Sequence, residues 1–295
     1  MFRRLGLSLA AVLAGSLIIG IANPAAAQPV AAPAAQVANV AHRGASAYAP
    51  ENTIAAFRLA RAQRADMFEL DVQETKDHQL ILMHDTTLAR TTDVESVYPD
   101  RAPWPVSAFT LAEIRKLDAG SWFGAKYAGE RVPTLAEALR SMRGSGLGLL
   151  LEVKAPSLYP GIEGRIAAEL RRHPSWLRPD PSERLLVVQS FDFDSMRRFH
   201  AIMPRVPVGL LGTPAVEDLP ELAGFADQIN PNHGALTAEY VQRVHRLRME
   251  VFTWTVDDPA AMRRVIGLGV DGVITNKPDV LGDVLGEGAA SPAAA

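Results

Sequence analysis

The sequence predicts an α/β protein built as a (β/α)8 barrel, and three observations carry that expectation. Nine short apolar runs recur along the chain, with helix-start signals between most of them. Two of these runs are joined by only five residues, too few for a parallel crossover, so one strand returns antiparallel and eight remain parallel. The polar residues of interest fall at the C-terminal ends of several different strands, where a barrel gathers its loops. The rival architecture is an open doubly wound sheet. It is less favoured because no Gly-x-Gly-x-x-Gly turn follows the first strand.

The elements follow in order. The first strand is expected at 39–42. Ala49-Pro50-Glu51-Asn52-Thr53 then opens a helix over 53–63. The second strand, 67–73, is followed by Glu74-Thr75-Lys76-Asp77-His78 and a returning strand at 79–84, a hairpin. Thr110-Leu111-Ala112-Glu113 and Thr134-Leu135-Ala136-Glu137 both fit a capping box, in which the Thr hydroxyl and the Glu carboxylate each satisfy an orphan N–H. Further strands are expected at 148–154, 185–190, 207–211, 228–230, 251–256 and 272–275. Asp258-Pro259 reads as an N-cap followed by Pro at the first helical position.

Composition bounds the rest. Of 295 residues, 48% are hydrophobic and 21% charged, which reads as globular. Lys plus Arg is 30 and Asp plus Glu 33, a net charge of −3 that gives no support to nucleic acid as a partner. There is no cysteine, so there is no disulfide framework and no thiol nucleophile, and any metal must be held by His and carboxylate oxygens. Arg3 and Arg4, the apolar run 5–21 and Ala25-Ala26-Ala27 read as a signal peptide over 1–27, implying a secreted or cell-envelope protein. An uncleaved anchor is the alternative, on a run near the short limit for a membrane span. The Ala- and Pro-rich stretch 28–38 reads as a linker, 39–286 as one domain and 287–295 as a disordered tail. No other segment is apolar enough to span a bilayer, so no stable membrane insertion is expected after cleavage.

The chemistry concentrates at strand ends. Glu69 and Asp71 lie two apart in Phe68-Glu69-Leu70-Asp71-Val72 and share a face, roughly 7 Å apart. Two buried ionised carboxylates repel, and a divalent cation resolves the conflict; an acidic face meeting solvent or Arg is the alternative. The hairpin, turning near Asp77, brings His84 beside Asp71. Glu152 and Lys154 repeat the pattern at the end of Gly148-Leu149-Leu150-Leu151-Glu152-Val153-Lys154, and Glu152 would complete a hard oxygen set; a Glu–Lys pair capping a barrel layer is the alternative. The first strand ends in Ala41-His42-Arg43-Gly44, where Arg43 is a natural fork for phosphate or carboxylate and Gly44 permits close backbone approach. Glu51 is either a helix-start acid or a brace for His42 or Arg43. Two His, an Arg, a Lys and three carboxylates at one mouth point to phosphoryl chemistry.

These motifs, taken as an ordered set, resemble the glycerophosphodiester phosphodiesterases. The set is Ala41-His42-Arg43-Gly44, Pro50-Glu51-Asn52-Thr53, Glu69-Leu70-Asp71-Val72, His84-Asp85 with Arg90-Thr91-Thr92, Leu117-Asp118-Ala119-Gly120, Val132-Pro133-Thr134-Leu135, Leu151-Glu152-Val153-Lys154, Gln189-Ser190-Phe191, Trp254-Thr255-Val256 and the run from Gly269 to Pro278. The resemblance covers nearly the whole domain. It implies a TIM barrel with an insertion at about 92–129, and metal-dependent cleavage of a small glycerophosphodiester to glycerol 3-phosphate and an alcohol. It further implies His42 and His84 as the acid–base pair, Glu69, Asp71 and Glu152 as ligands of one cation (Ca²⁺ or Mg²⁺), and Arg43 and Lys154 as phosphate-facing cations. Glu51 matches a motif acid at the substrate site; Phe191 and Trp254 match aromatics beside it, with plain barrel core as their alternative. Either histidine fits either proton role. Two departures stand out: His78 where the hairpin turn usually carries Gly, expected to be exposed and incidental, and Asp257 where Asn is common, expected to change pocket charge and not the reaction. A lysophospholipase D or sphingomyelinase D-like enzyme ending at a cyclic phosphate is the alternative within enzymes, and an inactive secreted binding barrel the alternative outside them. A sugar-cleaving barrel would not need the cations beside its carboxylates.

Overall fold

A computed structural model of the chain describes residues 37–178 and 186–290, which form nine strands and ten helices. The strands are β1 Ala38–Ala41, β2 Met67–Glu74, β3 Leu80–Leu82, β4 Gly148–Val153, β5 Leu186–Ser190, β6 Val208–Leu211, β7 Gln228–Asn230, β8 Glu250–Thr253 and β9 Gly272–Thr275. The helices are α1 Ile54–Ala62, α2 Val94–Val97, α3 Leu111–Ile114, α4 Leu135–Ser141, α5 Ile162–Arg172, α6 Phe193–Ile202, α7 Leu219–Leu222, α8 Ala238–Arg246, α9 Pro259–Gly267 and α10 Pro278–Ala290.

Eight strands are parallel and close on themselves, β2 against β4, then in order to β9, β9 against β1, and β1 back against β2. The expected (β/α)8 barrel is therefore formed. The returning strand is β3, antiparallel to β2 with Val72 opposite Leu82 and Glu74 opposite Leu80. The turn places His78 at φ 60°, the left-handed region that Gly occupies without strain, and its side chain is exposed. β8 stops at Thr253, short of the expected 256: Trp254 makes only an isolated bridge to Asn232, and one further backbone bond, Val256 N–H to Ile274 O at 3.0 Å, continues toward β9.

Strand alternation sorts the side chains. Val40, Met67, Leu150, Val187, Phe252 and Ile274 point inward and fill the barrel. Their neighbours, among them Phe68, Leu70, Leu149, Leu151, Val188 and Val273, face outward into the shell between strands and helices. Gly272 makes room for the interior: a Cβ there would stand 2.7 Å from the Phe252 ring.

Between β3 and β4 the chain builds a second small core from Ile81, Leu88, Val106, Phe109, Ile114 and Leu117. Both capping boxes form, at the starts of α3 and α4. Asp118 ties the loop together, accepting from the backbone N–H groups of Gly120, Ser121 and Gly129 at 2.7–2.8 Å.

The expected signal peptide, and the linker up to residue 36, lie outside the described residues. At the other end α10 runs to Ala290, past the expected domain end at 286, and Glu287 in the expected tail pairs with Arg263 at 2.6 Å. Residues 291–295 of the expected tail lie outside the described residues. Among the described residues no helix is long and apolar enough to cross a membrane.

Candidate active site

The alternation that fills the barrel below also arms its mouth. Above Met67 on β2 come Glu69 and Asp71; above Leu150 on β4 come Glu152 and Lys154; past Val40 on β1 comes His42. Register sets Asp71 directly beside Glu152. Ligand oxygens of Glu69, Asp71 and Glu152 lie within 4.8 Å of one another, and all three residues are buried.

A cation fits this group on two grounds. Glu69 Oε1 and Asp71 Oδ1 are buried with no hydrogen-bond partner, Asp71 Oδ1 having only Lys154 Nζ at 3.5 Å, an arrangement that costs free energy unless a closer positive charge completes it. The donor set is all carboxylate oxygen, which suits a hard divalent ion. The protonation pattern reflects the crowding. Burial, with Asp71 and Glu152 beside it, pushes the Glu69 carboxyl well above its ordinary value. Burial and Asp71 push Glu152 up to about 7. Asp71 is the exception: burial opposes its ionisation, but Lys154, Arg43 and His84, with the Asn52 amide, outweigh it and hold it low.

Positive groups frame the carboxylates. Lys154 Nζ stands 2.7 Å from Glu152 Oε1 and 3.5 Å from Asp71 Oδ1. Arg43 Nε stands 3.4 Å from Asp71 Oδ2, and the Arg43 backbone N–H donates to Glu69 Oε2 at 2.6 Å. That N–H is aimed by the turn after β1, where Arg43 has φ 55° and Gly44 φ 82°. Gly44 packs so tightly on α1 that a Cβ would stand 2.6 Å from the Ala56 carbonyl carbon, so the close approach expected at Gly44 is to the chain's own helix.

The two histidines are held differently. His42 Nδ1 meets Asn276 Oδ1 at 2.7 Å. Burial beside the Arg43 cation pushes its value down to about 4, so the ring is neutral at physiological pH. His84 Nδ1 meets Asp85 Oδ1 at 2.6 Å. Burial, with Arg43 and Lys154, lowers its value against the pull of Asp71 and Asp85. Asp85 is in turn gripped by Arg90, at 2.7 and 3.0 Å, and these bonds hold its carboxyl well below the usual range.

Arg90 also forks onto Glu51 at 2.7 and 2.8 Å, and Arg43 Nη1 reaches Glu51 Oε1 at 2.9 Å. Of its two readings, Glu51 takes the brace: α1 begins at Ile54 with Thr53 as N-cap, and Glu51 clasps two guanidinium groups instead of the helix end. Phe191 and Trp254 meet edge to face, ring centroids 5.5 Å apart. Phe191 is 53% exposed, which removes plain core as its role. Trp254 donates its indole N–H to Asn230 O at 2.7 Å. A cavity of ≈ 490 Å³ opens beside them, lined by His84, Glu152, Lys154, Ser190 and Phe191 among others.

All ten residues singled out in the sequence thus belong to one mouth or its immediate support. The partners assigned no role from sequence are Asn52, Asp85, Arg90, Asn276 and Ser46. Asn52, at φ 57°, both donates to Asp71 Oδ2 at 2.8 Å and accepts from its backbone N–H at 3.1 Å. Each except Ser46 sits inside a quoted motif, and that adjacency was the only signal available.

The family model described as the glycerophosphoryl diester phosphodiesterase family matches residues 42–280. The chain belongs to the glycerophosphodiester phosphodiesterase family. Among curated relatives, it is 37% identical over 252 residues to a glycerophosphodiester phosphodiesterase of Caldanaerobacter subterraneus, covering 84% of this chain and 98% of the relative. It is likewise 37% identical over 259 residues to one from Bacillus subtilis, covering 83% and 85%. Among solved structures, an Oleispira antarctica phosphodiesterase in complex with the product sn-glycerol-3-phosphate matches with a TM-score of 0.74 and 28% identity, over 84% of this chain and 96% of that one. A glycerophosphodiester phosphodiesterase from Agrobacterium tumefaciens matches with a TM-score of 0.68 and 28% identity, over 83% and 98%.

Proposed function

We propose that this member of the glycerophosphodiester phosphodiesterase family hydrolyses small glycerophosphodiesters to glycerol 3-phosphate and an alcohol, using one divalent cation, Ca²⁺ or Mg²⁺, and a His42–His84 proton pair. The enzyme class follows from the family; the residue roles are the proposal. The observation that carries it is the convergence of three buried carboxylates, two of them with orphaned oxygens, with two cations and two histidines on one barrel mouth. An inactive binding barrel would have lost at least one of these groups.

Glu69, Asp71 and Glu152 would hold the cation, which supplies charge neutralisation of the phosphate oxygens and acidification of a nearby hydroxyl. Arg43 and Lys154 orient the phosphate through its non-bridging oxygens. Phe191 and Trp254 offer apolar faces to the glycerol carbons. His42, neutral and with Nδ1 engaged by Asn276, presents the Nε2 lone pair; it takes the proton of the attacking hydroxyl, water or the glycerol's own, as that oxygen bonds to phosphorus. His84 acts as the imidazolium, its charge supported at Nδ1 by Asp85 against the lowering by burial, and gives its Nε2 proton to the departing alcohol oxygen as the P–O bond breaks. If the glycerol hydroxyl attacks, a cyclic phosphate forms and water opens it with the two roles exchanged.

The test is release of glycerol 3-phosphate from glycerophosphocholine after EDTA treatment, then with Ca²⁺ or Mg²⁺ restored. Metal-restored release is expected. A folded sample that releases nothing with either ion would overturn the proposed reaction, and one that works equally well in EDTA would overturn the proposed cofactor. Export is proposed on the strength of Arg3, Arg4 and the small-residue pattern ending at Ala27.

A further inference from the structure

One hydrogen-bond arrangement behind His42 has no part in the steps above. Asp257 follows β8 and reaches across to the end of β9. Its Oδ1 accepts from Thr275 Oγ1 at 3.0 Å and from the Asn276 backbone N–H at 2.8 Å; its Oδ2 accepts from Asn276 Nδ2 at 2.6 Å. An ionised carboxylate has no proton to give, so the amide nitrogen of Asn276 must face Asp257 and its carbonyl oxygen must face away. That oxygen stands 2.7 Å from His42 Nδ1. An acceptor there draws the ring proton onto Nδ1 and leaves the lone pair on Nε2.

We propose that Asp257 is a positioning residue for the reaction: acting through Asn276, it fixes the His42 tautomer whose Nε2 can accept a proton. The inference rests on His42 being the base. Among the described residues, the other hydrogen-bond partners of the Asn276 side chain are Ser46 and His42, and neither has a fixed polarity. Ser46 Oγ lies 2.7 Å from Asn276 Oδ1, but it lies equally close to the His42 carbonyl oxygen. Its hydroxyl can therefore donate to an amide oxygen, or accept from an amide nitrogen while donating to that carbonyl. The imidazole is equally ambivalent. Asp257 is the fixed point.

Asn at 257 would face three donors with one oxygen and an NH₂ of its own. The cheapest relief is for the Asn276 amide to flip, turning its NH₂ toward His42. The ring proton would then move to Nε2, and the base would be lost. Exchanging the two residues restores the polarity. In the Asp257→Asn, Asn276→Asp double variant the 276 carboxylate accepts from His42 Nδ1 and from the 257 amide, whose oxygen serves Thr275 and the 276 backbone.

The experiment joins kinetics on glycerophosphocholine to ¹⁵N-histidine long-range NMR of the mature chain, with and without Mg²⁺. His42 is assigned by the signal that His42→Ala removes. In the wild type the neutral ring is expected to carry its proton on Nδ1. Asp257→Asn is expected to shift the proton toward Nε2 and to lower kcat about 100-fold, within the range for losing a positioned base, with KM changed by less than about threefold. The double variant is expected to recover at least about tenfold of that loss and the original tautomer. A wild-type ring protonated on Nε2 would overturn the inference without any variant. So would a fully active Asp257→Asn, or a slow one whose tautomer is unchanged. An active His42→Ala would sink the acid–base reading itself, whereas an inactive His42→Ala beside a fully active Asp257→Asn would sink only the relay.

Discussion

Behind each imidazole stands a different partner, an amide for His42 and a carboxylate for His84, and on that difference rests the proposed assignment of base to His42 and acid to His84. Replacing either ring by Ala should lower kcat by ~10²–10⁴-fold, the usual worth of one positioned proton transfer. The melting temperature should hardly move, because neither ring belongs to the hydrophobic core; paired kinetic and thermal measurements check both halves. The carboxylates make a second prediction, for the cation-free protein. Glu69 and Glu152 are held above their ordinary values by burial and by their acidic neighbours. A carboxyl raised in the folded state keeps its proton where the unfolded chain has lost it. Its contribution is therefore fully present below about pH 4.3, the unfolded value, and is lost as pH rises toward about 7. After EDTA the enzyme should melt at a lower temperature at pH 8 than at pH 5.5, and adding the cation should raise the melting temperature more at pH 8. Equal gains at both values would show that the three carboxylates are not the binding group.

At the scale of elements, strand boundaries and caps were legible because their signals are local. Alternation gave the inward faces of β2 and β4, and Thr-x-x-Glu marked the starts of α3 and α4. The supporting contacts were not legible, because they join residues far apart: Asn52 to Asp71, Arg90 to Glu51 and Asn276 to His42 are separated by 19, 39 and 234 positions. Motif adjacency tells that such residues matter, not what they touch. Two element-scale predictions follow from geometry that sequence alone hides. Gly272→Val should force its Cβ into the Phe252 ring and lower stability by about 1–3 kcal/mol through overpacking, read by denaturant melts. In the loop after α3, burial pulls the Asp118 carboxyl upward, but the N–H groups of Ser121, Gly129 and Gly120 outweigh it and hold it well below its ordinary value. A depressed carboxyl stabilises above its unfolded value, about pH 3.9, and its contribution disappears as pH falls through the lower folded one. Asp118→Asn should therefore cost stability at neutral pH, with the gap to wild type narrowing in strong acid; a constant gap would mean that the charge has no part in closing the loop.

For the whole molecule, the barrel was legible from counting: eight parallel runs and one hairpin leave few other closures. The N-terminal segment makes a prediction at this scale. In an exporting host the mature protein should begin at Gln28, as N-terminal sequencing of the extracellular or envelope fraction would report; a full-length chain retained in the cytoplasm would refute the export proposal. The closing seam has a further consequence. β1 pairs with β9, and His42 draws both its backbone partner, Thr275 O, and its side-chain partner, Asn276, from the far end of the sequence. A ribosome delivers these pieces in order and roughly 10–50 s apart, at about 5–20 residues per second, first strand early and last strand at the end. Until the final segment emerges, the early strands hold acids and cations, but His42 lacks the Asn276 contact that orients it. On the proposed roles and the proposed export, the catalyst is switched on by its own completion, and a chain in transit is inactive.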